Sequence, residues 1–359
     1  MEETETKDKF SGIKKIYEGQ YKKLLIIPFT LIFIAILLIA FKAVSTGDFI
    51  NRDVSLKGGV TVTIPAKQPI DLTQLENIIS SKFPANDIAT KSLSQFGAQV
   101  GVIIEADIEQ DQTGKIDELI IEIGNALNKK LTTQDYSVEI VGSSLGASFF
   151  KEITRSLIAA FLFMGMVVFL YFGPNLKLKV LVSFLSILGG IFILFSRGLF
   201  TDSLVFLFSI VLIYIFLRWS IPSLAVIIAV FSDILITLAI VNLLGIKLSS
   251  AGIAAFLMLI GYSVDTNILL SIRLLKRKEG TGMERIYGAL KTGLTMTTTT
   301  VIAVTVTMLI TQSEIIKQIM LILLIGLVAD LISTWIQNVG ILRFYLERKA
   351  KKRESEIQS

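Results

Sequence analysis

Eight apolar segments, the last seven of them separated by short charged stretches, dominate this sequence and constrain what it can fold into. They cover residues 24–41, 154–172, 179–196, 203–217, 222–244, 249–272, 292–312 and 316–342. About 20 consecutive apolar residues suffice to cross the hydrocarbon core of a bilayer as a helix. Only 18% of the residues are charged and the mean hydropathy is +0.69, values typical of an integral membrane protein. We therefore predict an α-helical polytopic membrane protein with about eight candidate spans.

The chain contains no histidine and no cysteine. This composition excludes disulfides, cysteine nucleophiles, Ser-His-Asp triads and metal sites built from imidazole or thiolate. We expect no cofactor, no metal site and no enzymatic activity. The net charge of +5 does not indicate a nucleic-acid partner, because most basic residues lie beside apolar segments, where they set membrane topology.

The basic residues between the apolar segments are distributed unequally. With the N-terminus inside, the inner loops hold Lys177, Lys179, Arg218, Arg273, Lys276, Arg277, Lys278, Arg285 and Lys291, whereas the outer loops hold Arg197, Lys247 and Lys317. Cytoplasmic loops are enriched in Lys and Arg. We therefore predict a plasma-membrane protein with cytoplasmic segments at 1–23 and at the basic tail, 343–359. The region 44–152 then lies outside the cytoplasm.

The first apolar run has two interpretations, an uncleaved anchor over 24–43 and a cleaved signal peptide. Ala43, Val44 and Ser45 resemble a weak cleavage site. However, the apolar run is longer than that of a usual signal peptide, and the region before it is long and partly acidic. These features favour the anchor.

Residues 44–152 mix polar and apolar residues and predict one external domain. Strand-like alternation and helical spacing follow one another over 60–64, 72–83, 88–93, 99–106, 116–127 and 136–141, with a turn at Gly97 between the middle strands. This β-α-β-β-α-β order is that of a ferredoxin-like fold. Gly58 and Gly59 indicate a tight structural turn, because the spacing and the Lys-Ser/Thr pair of a phosphate-binding loop are missing.

Three acids, Asp233, Asp265 and Asp330, lie well inside apolar segments. None has a Lys or Arg one helical turn away on its own segment. An ionised Asp at the bilayer centre costs about 2.5–3.5 kcal/mol on insertion scales, and taking up a proton removes that charge. Two interpretations stay open for each acid: a proton carrier, or a packing residue that accepts hydrogen bonds from hydroxyl groups across helices.

Asp265 is the leading candidate for proton coupling. Its polar neighbours include Tyr262, Thr266 and Asn267, and Tyr262 at i−3 shares its helical face. The threonine-rich segment offers Thr297, Thr298, Thr299 and Thr300 as a polar path for the proton. A proton crossing the membrane supplies about 2.3 kcal/mol per 100 mV, which can bias the membrane bundle between two conformations and so move the external domain.

The segment LMLIGYSVDTNILLSIRLLKRK over 257–278 resembles SecF, in its archaeal form, a member of the resistance-nodulation-division superfamily. Further matching stretches are LKGGV over 56–60, SIPS over 220–223, FSD over 231–233, TGLTMT over 292–297, and Gly326 to Asp330 with Thr334, Trp335 and Asn338. The resemblance covers the anchor, the external domain and about residues 218–346.

This resemblance implies six spans with one large external domain after the first. It implies an accessory subunit that works with a SecD-like subunit beside a SecYE-type channel and promotes passage of a translocating polypeptide. In bacterial members of the family, intramembrane acids couple export to the proton-motive force. The basic run from Arg273 to Lys278 is also expected to meet membrane lipid head groups.

The sequence departs from the SecF pattern in two places. Asn267 stands where the family usually has an acid, so one potential proton site is missing. Residues 174–217 have no place in the six-span pattern and predict an extra hairpin within the bundle, which spans 153–342. The hairpin either crosses the membrane twice or is re-entrant.

Two other functions compete with an export subunit. A stand-alone proton-coupled transporter of the same superfamily normally carries two pseudo-repeated halves, whereas this sequence has one set of spans. An intramembrane aspartyl protease needs two acids that face each other. The sequence lacks the Gly-Asp motif expected beside one of them.

Overall fold

The computed structural model describes residues 17–66, 68–95, 98–195, 199–277 and 279–358. The predicted turn residue Gly97, the loop residues Arg197 and Lys278, and most of the segment 1–23 lie outside these ranges. The helices are α1 Tyr21–Leu24, α2 Ile26–Thr46, α3 Val54–Lys57, α4 Leu72–Lys82, α5 Thr113–Ala126, α6 Ser143–Phe172, α7 Leu176–Phe195, α8 Leu199–Trp219, α9 Ile221–Leu243, α10 Ser250–Lys276, α11 Gly282–Ile310, α12 Glu314–Ile332 and α13 Val339–Gln358. The strands are β1 Gly59–Pro65, β2 Ile88–Gln95, β3 Ala98–Ala106 and β4 Ser137–Val141.

A ferredoxin-like domain follows the first span, as the sequence predicts. Its four strands form an antiparallel sheet in the order β2-β3-β1-β4, in which Val62 of β1 is opposite both Ile104 and Val138. The helices α4 and α5 pack Ile79 and Leu119 onto Val62 and Ile104, and all four side chains are fully buried. The domain predicted to be external therefore has a closed hydrophobic core of its own.

Seven helical stretches in the described part of the chain are long and apolar enough to cross a membrane. They correspond to α1 with α2, α6, α7, α9, α10, α11, and α12 extended by α13, and an eighth, shorter apolar helix covers Ser203–Trp219 within α8. The polytopic helical fold predicted from the apolar segments is thereby confirmed.

Helices α9, α10 and α12 form the centre of the bundle. They bury apolar side chains against one another, and Leu259 of α10 packs directly on Gly326 of α12, where a Cβ atom would overlap it. By contrast, α2 and α7 expose most of their large apolar side chains, including Phe33 and Phe184. An apolar surface of this kind is expected where helices face lipid tails.

The hairpin formed by α7 and α8 lies at the edge of the bundle. Val182, Leu212 and Phe216 form a small separate cluster with Phe169 of α6. The hydroxyl group of Ser220 donates a hydrogen bond of 3.3 Å to the carbonyl group of Phe172, so the two ends of the hairpin meet.

Several helices extend beyond the segments predicted for them, among them α11, which begins at Gly282 and not at 292. Helix α6 begins at Ser143, directly after β4, and not at 154, because the backbone of Gly146 packs against that of Gly58 and continues the helix into the external domain. The basic tail is also helical and forms most of α13. The predicted end of the external domain at 152 therefore falls within a continuous helix.

Candidate functional site

The three intramembrane acids do not share one environment. Asp233 of α9 and Asp330 of α12 are both 0% exposed, whereas Asp265 of α10 is exposed on the surface of the chain. The structure therefore separates the leading sequence candidate from the other two. It also brings Asp233 and Asp330 together, because Ser263 and Thr266, one turn apart on α10, donate to Asp233 and to Asp330 respectively.

Hydroxyl groups of α10 and of the turn after α12 surround this carboxyl pair. Ser263 donates to Oδ2 of Asp233 at 2.5 Å. Thr266 donates to the Asp330 carboxyl group at 3.1 Å, and Thr334 donates to its Oδ1 at 2.8 Å. The acids thus join α9, α10 and α12 through contacts between fully buried side chains.

Side-chain amides extend this buried cluster. Asn338 donates to the amide oxygen of Asn267 at 2.6 Å, and Asn267 donates to the backbone carbonyl group of Ser263 at 2.8 Å. Gln337 donates to the hydroxyl group of Ser232 on α9 at 3.0 Å. We call the whole set the polar core, and it consists of Ser232, Asp233, Ser263, Thr266, Asn267, Asp330, Ser333, Thr334, Gln337 and Asn338.

A π-helical turn over Ser333–Asn338 supplies four members of the polar core. A π turn is wider than an α turn, and such turns inside helices are frequent at functional sites. Here the turn directs Thr334, Gln337 and Asn338 into the bundle, where each forms a hydrogen bond.

The N-terminal segment packs on this π turn. The hydroxyl group of Tyr17 donates to the backbone carbonyl group of Trp335 at 2.8 Å. Burial raises the pKa of Tyr17, so this hydroxyl keeps the proton that it donates. Arg343 holds the segment in place by donating to the carbonyl groups of Tyr17 at 2.9 Å and Glu18 at 2.7 Å.

Sequence reasoning did not identify Ser232, Ser333 and Gln337 as site residues. A signal was nevertheless present, because polar residues recur on α10 at Ser263 and Asn267 and after Asp330 at Thr334 and Asn338. That spacing of four residues marks one face of a helix. A polar face on an otherwise apolar helix points to the interior of a bundle.

Asp265 lies on a different face of α10. Together with Ala254, Met258 and Gly261, it forms an exposed stripe at helical spacing, near the middle of the helix. Met258 is 55% exposed, and a Cβ atom on Gly261 would meet no other atom within 4 Å. We call these four residues the Asp265 stripe.

The predicted threonines do not connect Asp265 to the polar core. Thr297 is buried and donates to the carbonyl group of Gly293 at 3.0 Å, and Thr299 and Thr300 both donate to that of Met296. Thr298 is exposed. These bonds within α11 satisfy the hydroxyl groups locally. Within the described ranges, no hydrogen bond joins Asp265 to these threonines or to Tyr262, which is half-buried.

The predicted turn residues connect the external domain to the bundle. Gly58 has φ +92° and Gly59 has φ +138°, conformations that favour glycine. A Cβ atom on Gly58 would overlap the backbone of Ser143 at the start of α6. The turn therefore lets β1 begin close against α6.

A loop between α9 and α10 also binds the base of the external domain. The backbone N–H of Leu248 donates to the carbonyl group of Asn51 at 2.6 Å, and that of Asp53 donates to the carbonyl group of Leu248 at 3.0 Å. Ser250, the first residue of α10, donates its backbone N–H to the hydroxyl group of Ser55 at 3.0 Å. Asp53 in turn accepts from the Ser55 hydroxyl at 2.6 Å, and burial raises the pKa of Asp53.

The same loop reaches α12 and the sheet. The side chain of Gln318 donates to the carbonyl group of Lys247 at 2.5 Å and accepts a hydrogen bond from Ser249. Lys247 forms an ion pair of 2.8 Å with Asp87 of the external domain. We call Asn51 to Ser55, Lys247 to Ser250 and Gln318 the junction. It ties this domain to the N-terminal ends of α10 and α12.

Chemically, the paired acids resemble the carboxyl pair of an aspartic protease. Both are fully enclosed by polar-core side chains, however, which leaves no space for a peptide bond between them. The arrangement can hold a proton and can hold three helices together.

Comparison with known proteins gives the family. Residues 193–348 match the profile of the protein export membrane protein SecD/SecF C-terminal family. The chain is 33% identical over 332 residues to the protein-export membrane protein SecF of Methanothermobacter thermautotrophicus, covering 91% of this chain and 93% of that one. It is 31% identical over 340 residues to SecF of Pyrococcus furiosus, covering 95% of this chain and 96% of the relative.

Among solved structures, the crystal structure of SecDF from Thermus thermophilus, a translocon-associated membrane protein, superposes with a TM-score of 0.58 at 16% identity. The match covers 92% of this chain and 38% of the SecDF chain, so the fold is shared with a part of that larger protein. The relatives are named as export subunits and not as enzymes. The chain is a multi-pass membrane protein of the SecF family, with an accessory role in Sec protein export.

Proposed function

We propose that this chain works with a SecD-like subunit beside a SecYE-type channel, where the pair promotes passage of a translocating polypeptide and draws on the proton-motive force. The observation that carries this proposal is the exposure of Asp265 near the middle of α10. The other parts of the proposal follow from what must cover this residue and from what α10 is attached to.

An aspartate at mid-membrane cannot face lipid tails at low cost. Ionisable residues within membrane segments almost always face a protein interior or a water-filled cavity and pair with other polar groups. The Asp265 stripe also carries Ala254 and Gly261, small residues of the kind that let a second helix approach closely. A second membrane chain therefore covers this stripe. The SecDF structure supports a SecD-like identity for that chain, since the present fold matches only 38% of the SecDF chain.

The junction supports a mechanical link between the membrane and the external domain. Helix α10 carries Asp265, and its first residue, Ser250, is hydrogen-bonded to Ser55 at the base of the external domain. A change at Asp265 that tilts or shifts α10 moves this base directly. In this proposal the external domain then acts on a polypeptide that leaves the channel on the outer side, and the basic inner loops bind anionic lipid head groups.

Cross-linking tests the proposal. The chain has no native cysteine, so Met258→Cys and Gly261→Cys each introduce a single reactive group on the Asp265 stripe. We expect both variants, in native membranes, to cross-link to a co-expressed SecD-like subunit that carries cysteines along its own spans. The matched control is Phe184→Cys, because Phe184 is 62% exposed on the peripheral hairpin and is expected to stay unlinked.

Cross-links between two copies of this chain at Met258 and Gly261, with none to the SecD-like subunit, would instead support a stand-alone transporter. Cross-linking from Phe184 alone would mean that the partner binds the hairpin. Either result contradicts the proposed arrangement.

A further inference from the structure

The Asp233–Asp330 pair is a second acidic site, separate from Asp265 and enclosed within a single chain. The two carboxyl groups come from α9 and α12, and both side chains are 0% exposed. The inference below does not rest on the proposed partner, because no residue of a second chain is needed to complete this site.

The hydrogen bonds around the pair leave one carboxyl oxygen without a donor. Oδ2 of Asp233 accepts from Ser263, and the Asp330 oxygens accept from Thr266 and Thr334. Oδ1 of Asp233 has no donor in the described part of the chain. A buried polar atom without a partner costs about 1–3 kcal/mol, and more when the group is charged.

A second buried polar group lies beside the Asp233 carboxyl group. The hydroxyl group of Ser333 is fully buried beside the Asp233 carboxyl group without a well-formed hydrogen bond. Ser333 lies on the π turn and is not one of the three residues that donate hydrogen bonds to the acids. Its position shows that the space beside Asp233 is polar on more than one side.

The pair has no counter-ion. Within the described residues, no Lys or Arg forms an ion pair with Asp233 or Asp330. The titratable groups nearest along α10 are Tyr262, which is half-buried, and Asp265, which is exposed on another face. Two ionised carboxylates in contact repel each other strongly when water is excluded, and each offers only acceptors to the other.

We propose that Asp233 and Asp330 form a proton-binding site that holds one proton between their carboxyl groups. The proton is bonded to an oxygen of one acid and is donated to an oxygen of the other. The unpaired oxygen of Asp233 then takes part in a hydrogen bond, and the pair carries one negative charge instead of two. That charge accepts hydrogen bonds from Ser263, Thr266 and Thr334. The shared proton fastens α9 to α12, and its loss would drive these helices apart.

Infrared spectroscopy of the full chain in lipid bilayers tests this proposal. Protonated aspartic acid has a carbonyl stretching band that ionised aspartate lacks, and labelling aspartate with ¹³C assigns the band to Asp. We expect the chain that keeps both acids of the pair, used as the reference, to show the band at neutral pH. It should disappear completely in both Asp233→Asn and Asp330→Asn. The introduced amide donates to the remaining carboxylate, so the single variants keep the same charge and need no proton.

Two further variants make the result specific. Every sample, including the reference chain, carries Asp265→Asn, because an uncovered Asp265 at mid-membrane takes up a proton and contributes a band of its own. Thr334→Val keeps both acids but removes a donor to Asp330, so it should shift the frequency of the band without abolishing it. This variant also keeps the test valid if an Asn variant fails to fold.

Several outcomes would overturn the proposal. A band that loses half of its intensity in each single variant would mean two separately protonated acids. Absence of the band in the reference chain would mean that both acids are ionised. A band that appears only after Na⁺ is withdrawn would mean that a metal cation, and not a proton, lies between the carboxyl groups.

Discussion

At the scale of single residues, the three intramembrane acids have two kinds of surroundings. Asp233 and Asp330 are enclosed by donors from the same chain. Asp265 has no such enclosure and is exposed on α10. A group at a surface between two chains can exchange a proton when those chains move, whereas an enclosed group exchanges one only when its own helices separate. This difference makes Asp265 the residue for gradient coupling in our proposal.

We predict that Asp265→Asn assembles normally but loses the stimulation of export by a proton gradient. Asn keeps the size and much of the hydrogen bonding of Asp but cannot ionise. At 100 mV a proton supplies about 2.3 kcal/mol, a bias of about 50-fold between two conformations, and the variant should lose this bias. The measurement is export into membrane vesicles with and without an imposed gradient.

The control for Asp265 is Asp265→Glu, which keeps an ionisable group on the same face of α10. We expect it to retain part of the stimulation. If Asp265→Asn were stimulated as fully as the unmodified chain, Asp265 would be a packing residue and the coupling would lie elsewhere.

Gly58 is a second position where one atom decides the structure. Its φ is +92°, and a Cβ atom would overlap the backbone of Ser143, which cannot move as a side chain can. We predict that Gly58→Ala destabilises the chain by about 1–3 kcal/mol. Thermal unfolding in detergent measures this loss. Gly114→Ala is the matched control, because a Cβ atom there meets nothing within 4 Å, and equal destabilisation of both variants would contradict the prediction.

At the scale of elements, the periodicity of apolar residues was sufficient to predict the strands and helices of the external domain. Strand alternation and helical spacing predicted all six elements between 60 and 141, and Asp71 caps the start of α4 by accepting from the backbone N–H of Gln74 at 3.1 Å. Because each of these elements buries one face, the spacing of its apolar and polar residues can be recognised in its own sequence.

The polar core could not be predicted in the same way. Whether Asp233 meets Asp330 depends on how α9 packs against α12, and that packing is set by contacts such as Leu259 on Gly326. The π turn adds a residue to a helical turn, so α-helical spacing does not give the direction of Gln337 or Asn338. The sequence identified both acids as candidates but ranked Asp265 above them, because Asp265 lies inside the most specific family motif. Neither that motif nor hydropathy reports which face of a helix is covered.

The external domain is predicted to fold without the membrane bundle. Its core from Val60 to Ile123 is closed by its own strands and helices, whereas Ile50 and Leu56 pack with the bundle. A fragment of residues 58–142 should therefore unfold cooperatively in urea and show mixed helix and strand content by circular dichroism. A disordered fragment would mean that the domain depends on the junction for its stability.

The fragment should also lose stability in acid through Asp135. Hydrogen bonds from Lys129, and from the hydroxyl and backbone N–H of Thr132, hold the pKa of Asp135 well below its ordinary value. A lowered pKa in the folded state stabilises the fold above the unfolded pKa of about 3.9, and this contribution declines as the pH falls below it. The difference in urea midpoint between the fragment and its Asp135→Asn variant should therefore shrink from pH 7 to pH 3. A constant difference would contradict this assignment.

At the scale of the whole molecule, the contacts separate into two ends. The junction and the external domain lie at one end of α10, and Arg273 and Arg277 lie at the other. We predict that the basic end is cytoplasmic. Single cysteines at Ser94, Thr281 and Ser355 should react with an impermeant thiol reagent from outside, inside and inside, respectively. Labelling of Ser355→Cys from outside would contradict this topology.

The α7–α8 hairpin packs at the edge of the bundle. Its buried side chains contact α6, the start of α9 and one another, and its outer side chains, such as Phe184 and Phe206, are exposed. No member of the polar core or of the Asp265 stripe belongs to it. Because it contributes two passes or none, its presence does not alter the side on which any later segment emerges.

We predict that deletion of residues 174–219, joining Gly173 to Ser220, leaves association with the SecD-like subunit intact. The hydroxyl group of Ser220 already contacts the carbonyl group of Phe172 at 3.3 Å, so the new connection spans a short distance. The deletion exposes Phe169, which lipid tails can cover at little cost. Co-purification with the tagged partner measures the result. Gly58→Ala, which strains the contact with Ser143 at the start of α6, provides a destabilised comparison in which the hairpin is unchanged. Loss of the partner in the deletion variant but not in Gly58→Ala would place the hairpin in the interface, and the Asp265 stripe would then be covered by something else.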